Sequence, residues 1–173
     1  NNRQHTYYLV DTEEKINNLT DKLKSVGKFS FDTETTSIEP INAKLVGMSF
    51  SVKEDEAFYV PVPEDEQEAQ KIVDSFREVL ENEKSQKIGQ NIKYDYIVMK
   101  NYGVNLKGEF FDTMVAHYLL QPDGHHNMDY LAEIYLGHKT ISIETLIGAK
   151  GKNQRSMRDV PLQDICEYAA EDA

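Results

Sequence analysis

The 173-residue sequence predicts an α/β domain built on one mixed sheet. Three observations carry this reading. Segments with strand alternation crowd the first half of the chain, while segments with helical periodicity dominate the second. The length suits one compact domain over residues 1–173, able to bury roughly two-thirds of its unfolded surface without metal or disulfide staples. Hydrophobic residues make up 39% and aromatics 10%, too many for a disordered chain.

Tyr7–Val10 is a short apolar strand. A helix follows from Asp11 or Thr12, with Ile16, Leu19, Leu23 and Val26 at helical spacing and Gly27 as its stop. Phe29–Glu34 alternates as a strand. Leu45–Val52 and Ala57–Val62 are two more, joined by a turn over residues 53–56 and ended by Pro61 and Pro63. Glu66–Leu80 carries Ala69, Ile72, Val73, Phe76 and Leu80 on one face and is an amphipathic helix. Lys87–Gly89 is a brief strand, and Ile92–Tyr102 a helix closed by Gly103. Phe110-Phe111 leads into a helix near Thr113–Leu120, which Asp112 should cap, and Met128–Leu136 forms another. Gly148–Gln154 is a glycine-rich basic loop expected to be mobile. Val160-Pro161 opens the last helix, with Asp159 as its expected N-cap.

Composition excludes several classes. No apolar run approaches the ~18 residues of a transmembrane helix. Asn1–His5 is followed by no apolar stretch, so no signal peptide is expected. One cysteine, Cys166, cannot make an intrachain disulfide or a cysteine zinc site, and an intracellular setting is expected. The net charge of -11 disfavours indiscriminate polyanion binding. The charge is uneven, however. Residues 53–83 hold eleven acids against three bases, whereas residues 138–158 hold five bases (Lys139, Lys150, Lys152, Arg155, Arg158) against Glu144 alone. That segment either meets a phosphate backbone or is a solvated face.

The chemistry lies in the acids. Asp32 and Glu34 sit two apart on a strand, so both carboxylates share one face while Phe31 and Thr33 take the other. Two buried anions side by side are costly, and divalent cations are the natural compensation; capping or surface exposure is the alternative. In the last helix, Leu162, Ile165, Cys166 and Ala169 form the apolar stripe. Tyr168 and Asp172 fall on one flank of it, about 40° apart. Asp164, Glu167 and Glu171 are expected to face solvent. Asp95 falls in a first helical turn, where a carboxylate also complements the helix dipole.

Phe31-Asp32-Thr33-Glu34-Thr35, Asn91-Ile92-Lys93-Tyr94-Asp95 and Tyr168-Ala169-Ala170-Glu171-Asp172 resemble, in order and separation, the three motifs of the DEDD exonuclease superfamily. Tyrosine four residues before the last Asp marks the tyrosine branch. Gly89-Gln90-Asn91, Phe111-Asp112-Thr113-Met114, His138-Lys139-Thr140-Ile141 and Gly151-Lys152-Asn153-Gln154 are similar to the proofreading domain of bacterial family A DNA polymerase I. The resemblance runs from Phe29 to the end of the chain.

It implies an RNase H-like fold with a mixed five-stranded sheet flanked by helices, and metal-dependent 3′→5′ cleavage of single-stranded or frayed DNA ends. It implies catalytic residues Asp32, Glu34, Asp95, Tyr168 and Asp172. The four carboxylates would hold two divalent cations, Mg²⁺ or Mn²⁺, with Zn²⁺ possible at one site. Phosphodiester cleavage needs an activated water, transition-state charge stabilisation and help for the leaving oxygen, which two hard cations supply together. Tyr168, with a phenol pKa of ~10, is a poor general base at neutral pH and is expected to orient the attacking water instead.

Substrate contacts are expected at Thr33, Ile38, Asn91 and Tyr94, and at Lys150, Lys152 and Arg155 on the DNA backbone. Ile38 is alternatively a core residue, and Asn91 and Tyr94 alternatively buttress Asp95. His125 and His126 stand where the family often carries an arginine. The expected partners are a single-stranded DNA 3′ end and a covalently linked polymerase domain beyond the C-terminus. The isolated domain is expected to be a monomer, in the bacterial cytoplasm near the nucleoid and away from membranes. An RNA-trimming exonuclease of the same branch and a catalytically silent DNA-binding scaffold are the rival readings.

Overall fold

A computed structural model describes residues 5–173; of the segment that bears on a signal peptide, residues 1–4 lie outside the described residues. The elements run β1 (Thr6–Leu9), α1 (Glu13–Ser25), β2 (Lys28–Thr35), β3 (Leu45–Lys53), β4 (Glu56–Pro61), α2 (Glu66–Leu80), β5 (Gln86–Gly89), α3 (Ile92–Asn101), β6 (Phe110–Asp112), α4 (Thr113–Leu120), α5 (Met128–Leu131), α6 (Ile143–Ile147) and α7 (Leu162–Asp172). A π-helical stretch, Ala132–Leu136, extends α5, and a 3-10 turn, Met157–Asp159, precedes α7.

The strands form one mixed sheet in the order β1-β4-β3-β2-β5-β6. β2, β3 and β4 are an antiparallel meander; β1 runs parallel to β4, and β5 and β6 continue in parallel from β2. The α/β architecture is the expected one, with six strands rather than five. The sixth, Phe110–Asp112, is too short to display alternation, and both its phenylalanines remain exposed.

Alternation along β2 divides the molecule into two layers. Phe29 and Phe31 point into the larger core, with Ile16, Leu19 and Leu23 of α1, Val73 and Phe76 of α2, and Val98 and Met99 of α3. Phe31, Phe50 and Phe76 form its centre, with ring centroids 5.2 and 5.0 Å apart along the row. Burying each such ring contributes about 1.5–3 kcal/mol. The other face carries Asp32 and Glu34. It is crossed by α7, which touches β1 through β4 and builds a second core from Ile165, Cys166 and Ala169 against Val46 and Tyr59.

β5 pairs with β2 only over Lys28–Ser30. Beyond Ser30 no strand among the described residues pairs with the β5 side of β2, and the first turn of α3 reaches that side through Asp95 and Thr33. Gly89 ends β5 where an added Cβ would lie 3.1 Å from the Phe31 carbonyl oxygen. Its bare backbone allows this turn from strand to helix.

Helix starts follow the expected capping rules at Thr12, Asp65 and Asp112. Asp112 does more: Oδ1 accepts from Met114 and Val115 of α4, and its two oxygens also accept from Asn91 and Ile92 at the start of α3. Asp159 is a correction. It closes a capping box with Ser156 on the 3-10 turn, which takes the carboxylate before α7 begins, and Pro161 opens α7 without a side-chain cap. The base of the Gly148–Gln154 loop is closed by Arg155, whose backbone N–H donates to Ile147 O at 2.8 Å and whose guanidinium donates to Leu146 O at 2.7 Å.

Candidate active site

Asp32 and Glu34 project from β2 under α7, and Asp172 reaches them from the last turn of that helix. One carboxylate oxygen from each lies within 4.8 Å of the others. Burial is the largest force on all three. It drives Asp32 and Glu34 well above the usual carboxylate range, and repulsion among the acids pushes the same way. Asp172 is pushed up to about 7, chiefly by burial; the Tyr168 hydroxyl beside it partly offsets the shift. Among the described residues, no lysine or arginine is among the groups that perturb the three. Anionic oxygens held together in low dielectric without a side-chain counter-ion fit a hard divalent cation.

Asp95 stands apart from this trio. It rises from α3 on the opposite side of β2, where the Thr33 hydroxyl donates to its Oδ1 at 2.6 Å. Burial pushes it up to about 7. The gap beyond the end of β5 leaves it near enough to Asp32 to be the strongest charge acting on that residue. Four acids therefore converge on the middle of β2, three from one face and one from the other.

Tyr168 is half-buried against the second core, and burial together with Asp172 drives its phenol far up, so it stays protonated. The position of Tyr168 beside Asp172 follows the helical spacing. Glu171 does not face solvent as expected. Its carboxylate lies 2.7 Å from His138 Nε2 and accepts from the Ile141 backbone N–H at 2.6 Å, because the segment after the π-helical stretch returns along this side of α7.

The other expected contacts fall into three groups. Thr33 is buried, with its hydroxyl engaged by Asp95. Tyr94 places its hydroxyl 2.5 Å from that of Thr35 and donates to the Ser37 carbonyl, which fixes the chain beyond β2. Asn91 occupies a left-handed backbone position at φ 58, with its N–H on Asp112. Ile38 is 81% exposed, which removes the core alternative. Lys150, Lys152 and Arg155 are exposed, and none pairs with a carboxylate among the described residues. Arg158 is committed to structure, donating to Val62 O and Leu45 O at 3.1 and 2.5 Å. His126 is held by His117, Nδ1 to Nδ1 at 2.7 Å, and by Gln90, which donates to its carbonyl.

Sequence reasoning missed the floor of the cluster. Gly47 pairs with Glu34, and Ser49 pairs with Asp32 on one side and Tyr59 on the other. The Tyr59 ring lies over Gly47, where an added Cβ would come within 2.2 Å of it. Alternation along Leu45–Val52 puts Gly47 and Ser49 on one face, but only the register of β3 on β2 sets them opposite the two acids.

A mixed sheet with helices on both faces and acids at its centre is an RNase H-like fold. The chain belongs to the 3'-5' exonuclease family of A-type DNA polymerases, whose model it matches over residues 7–173. It is 41% identical over 162 residues to DNA polymerase I of Pseudomonas aeruginosa and 35% identical over 170 residues to that of Borreliella burgdorferi. These alignments take in 88% and 96% of the chain but 18% of each relative. The fold is also that of Escherichia coli RNase D, with a TM-score of 0.72 at 15% identity over 97% of this chain and 41% of that one. Brucella melitensis NrnC with bound Mg2+ superposes with a TM-score of 0.68 at 18% identity, over 99% and 75% of the two chains. No helix among the described residues is long and apolar enough to cross a membrane.

Proposed function

We propose that this chain is a single metal-dependent 3′→5′ exonuclease domain. It hydrolyses phosphodiester bonds at single-stranded or frayed DNA 3′ ends, as the proofreading module of a bacterial DNA polymerase I to which it is covalently joined. The observation that carries the proposal is the cluster of buried Glu34 with half-buried Asp32 and Asp172, without a cationic side chain among the described residues, with Asp95 behind it. Four carboxylates balance two divalent cations, Mg²⁺ or Mn²⁺, in formal charge. Such ions would activate water and stabilise charge on the phosphate oxygens.

The protein's part is placement. β2 fixes Asp32 and Glu34 on one face of a rigid strand, α7 delivers Asp172, and Thr33 orients Asp95. Tyr168 keeps its proton and donates a hydrogen bond that aligns the attacking water. Exposed Ile38 packs on the terminal base, and Lys150, Lys152 and Arg155 meet the backbone. Asn91 and Tyr94 hold the turn that presents Asp95 and the chain around Ile38.

The test uses 5′-labelled single-stranded DNA and an RNA of matched sequence, each incubated with the protein and Mg²⁺ or Mn²⁺. The expected result is a ladder shortening from the 3′ end of DNA, abolished by EDTA, with slower loss of RNA. Faster RNA cleavage would move the chain to the RNA-trimming reading. No cleavage with either metal would make it a silent scaffold.

A further inference from the structure

Ser49 is 1% exposed and its Oγ is one of two buried side-chain polar atoms without a hydrogen-bond partner among the described residues. Other hydroxyls on this sheet are engaged: Ser30 with the Ile88 carbonyl, Ser51 with the carbonyls of Lys53 and Glu56, and Thr33 with Asp95. Buried polar groups are nearly always paired, so an orphan in the middle of a sheet calls for an account.

Its register supplies one. Ser49 stands directly opposite Asp32 in the antiparallel β2–β3 ladder. Opposed residues share a face, with Cβ atoms about 4.5–5.5 Å apart. The neighbouring pair, Phe31 and Phe50, takes the other face. On its far side Ser49 is flanked by Tyr59, whose hydroxyl donates to Val46 O at 3.3 Å. The Ser49 hydroxyl is therefore an unspent donor on the residue that stands opposite Asp32 in the ladder.

We propose that Ser49 is a positioning residue for Asp32, donating to the outer oxygen of the ionised carboxylate and holding its other oxygen toward a cation. Donors of this kind commonly set the orientation and affinity of a ligating carboxylate. The inference rests on the reading of Asp32 as a cation ligand, given above. It adds a residue on β3, outside all three acid motifs.

Two variants of the full chain test it, Ser49→Ala and Ser49→Thr, with two readouts that need no DNA: Mn²⁺ affinity by titration, and melting temperature in EDTA. Ser49→Ala should weaken Mn²⁺ binding by about 10-fold, within the range for such outer partners. It should leave the metal-free melting temperature level or higher, because an unpaired hydroxyl is removed. Ser49→Thr, which keeps the hydroxyl, should restore most of the affinity. A purely structural serine would move melting and affinity down together, without rescue by threonine, and that result would overturn the proposal. So would unchanged Mn²⁺ affinity in Ser49→Ala while Asp32→Ala loses it, which would leave the reading of the site intact. Failure of the parent protein to bind Mn²⁺ would overturn both.

Discussion

Replacing Asp172 by Asn should stabilise the metal-free protein at pH 8 and do little at pH 4. In the folded chain the Asp172 carboxyl is pushed from 3.8 up to about 7, chiefly by burial. A raised folded pKa means that the native state holds its proton through a window where the unfolded chain has released it. Stability is therefore greatest below about 4 and falls as pH rises toward 7. Asparagine mimics the protonated acid, so wild type and variant should match at the acidic end and diverge across the window. Three pKa units correspond to about 4 kcal/mol, a ceiling that water entering the site reduces. At roughly 2–4 °C per kcal/mol for a chain of this size the ceiling is about 8–16 °C, and with about half of it realised a gain of about 4–8 °C at pH 8 is expected. Scanning calorimetry in EDTA at both pH values measures it. An equal gain at both, or a lower melting temperature for the variant at pH 8, would refute the claim that a largely desolvated charge without a counter-ion sits there. Mg²⁺ should raise the wild type and narrow the gap, since a ligand that binds only the native state stabilises it.

The remaining expectations concern the same cluster and its surroundings. Alanine at Asp32, Glu34 or Asp95 should abolish most cleavage while circular dichroism stays native; near-normal cleavage by Asp95→Ala would remove that residue from the site. Tyr168→Phe should slow cleavage on the order of 10–10³-fold, as for one positioned catalytic hydrogen bond, with Mn²⁺ affinity nearly unchanged. A parallel loss of affinity would make Tyr168 a ligand or its support. Changing Lys150, Lys152 and Arg155 together to alanine should weaken single-stranded DNA binding and flatten its salt dependence, read by fluorescence anisotropy, and leave the metal requirement alone. Gly47→Ala should lower the melting temperature, because its Cβ would fall within 2.2 Å of the Tyr59 ring.

What the sequence discloses is what obeys a local period. Alternation on β2 separates Asp32 and Glu34 from Phe31 and Thr33, and helical spacing pairs Tyr168 with Asp172; both hold in the structure. Contacts made across the chain escape it. Glu171 has a solvent-facing helical position, yet a segment thirty residues upstream folds back onto it. Asp159 satisfies the rule for a helix cap, but a 3-10 turn competes for the same carboxylate. The third strand conceals most. Gly47 and Ser49 mean nothing until register sets them against Glu34 and Asp32.

Asp112 joins α3 and α4 at a single point, its two oxygens serving backbone donors from both helices. The two helices cannot settle independently: whatever displaces the start of α4 drags the turn that carries Asp95. The exposed side of α4, with Val115, Tyr118 and Leu119, is thus mechanically geared to one of the four buried acids through a carboxylate that belongs to neither group. Exchanging the α4 segment between relatives would transplant that linkage, so catalytic geometry should depend on how the new segment seats Asp112 rather than on the acids it leaves untouched.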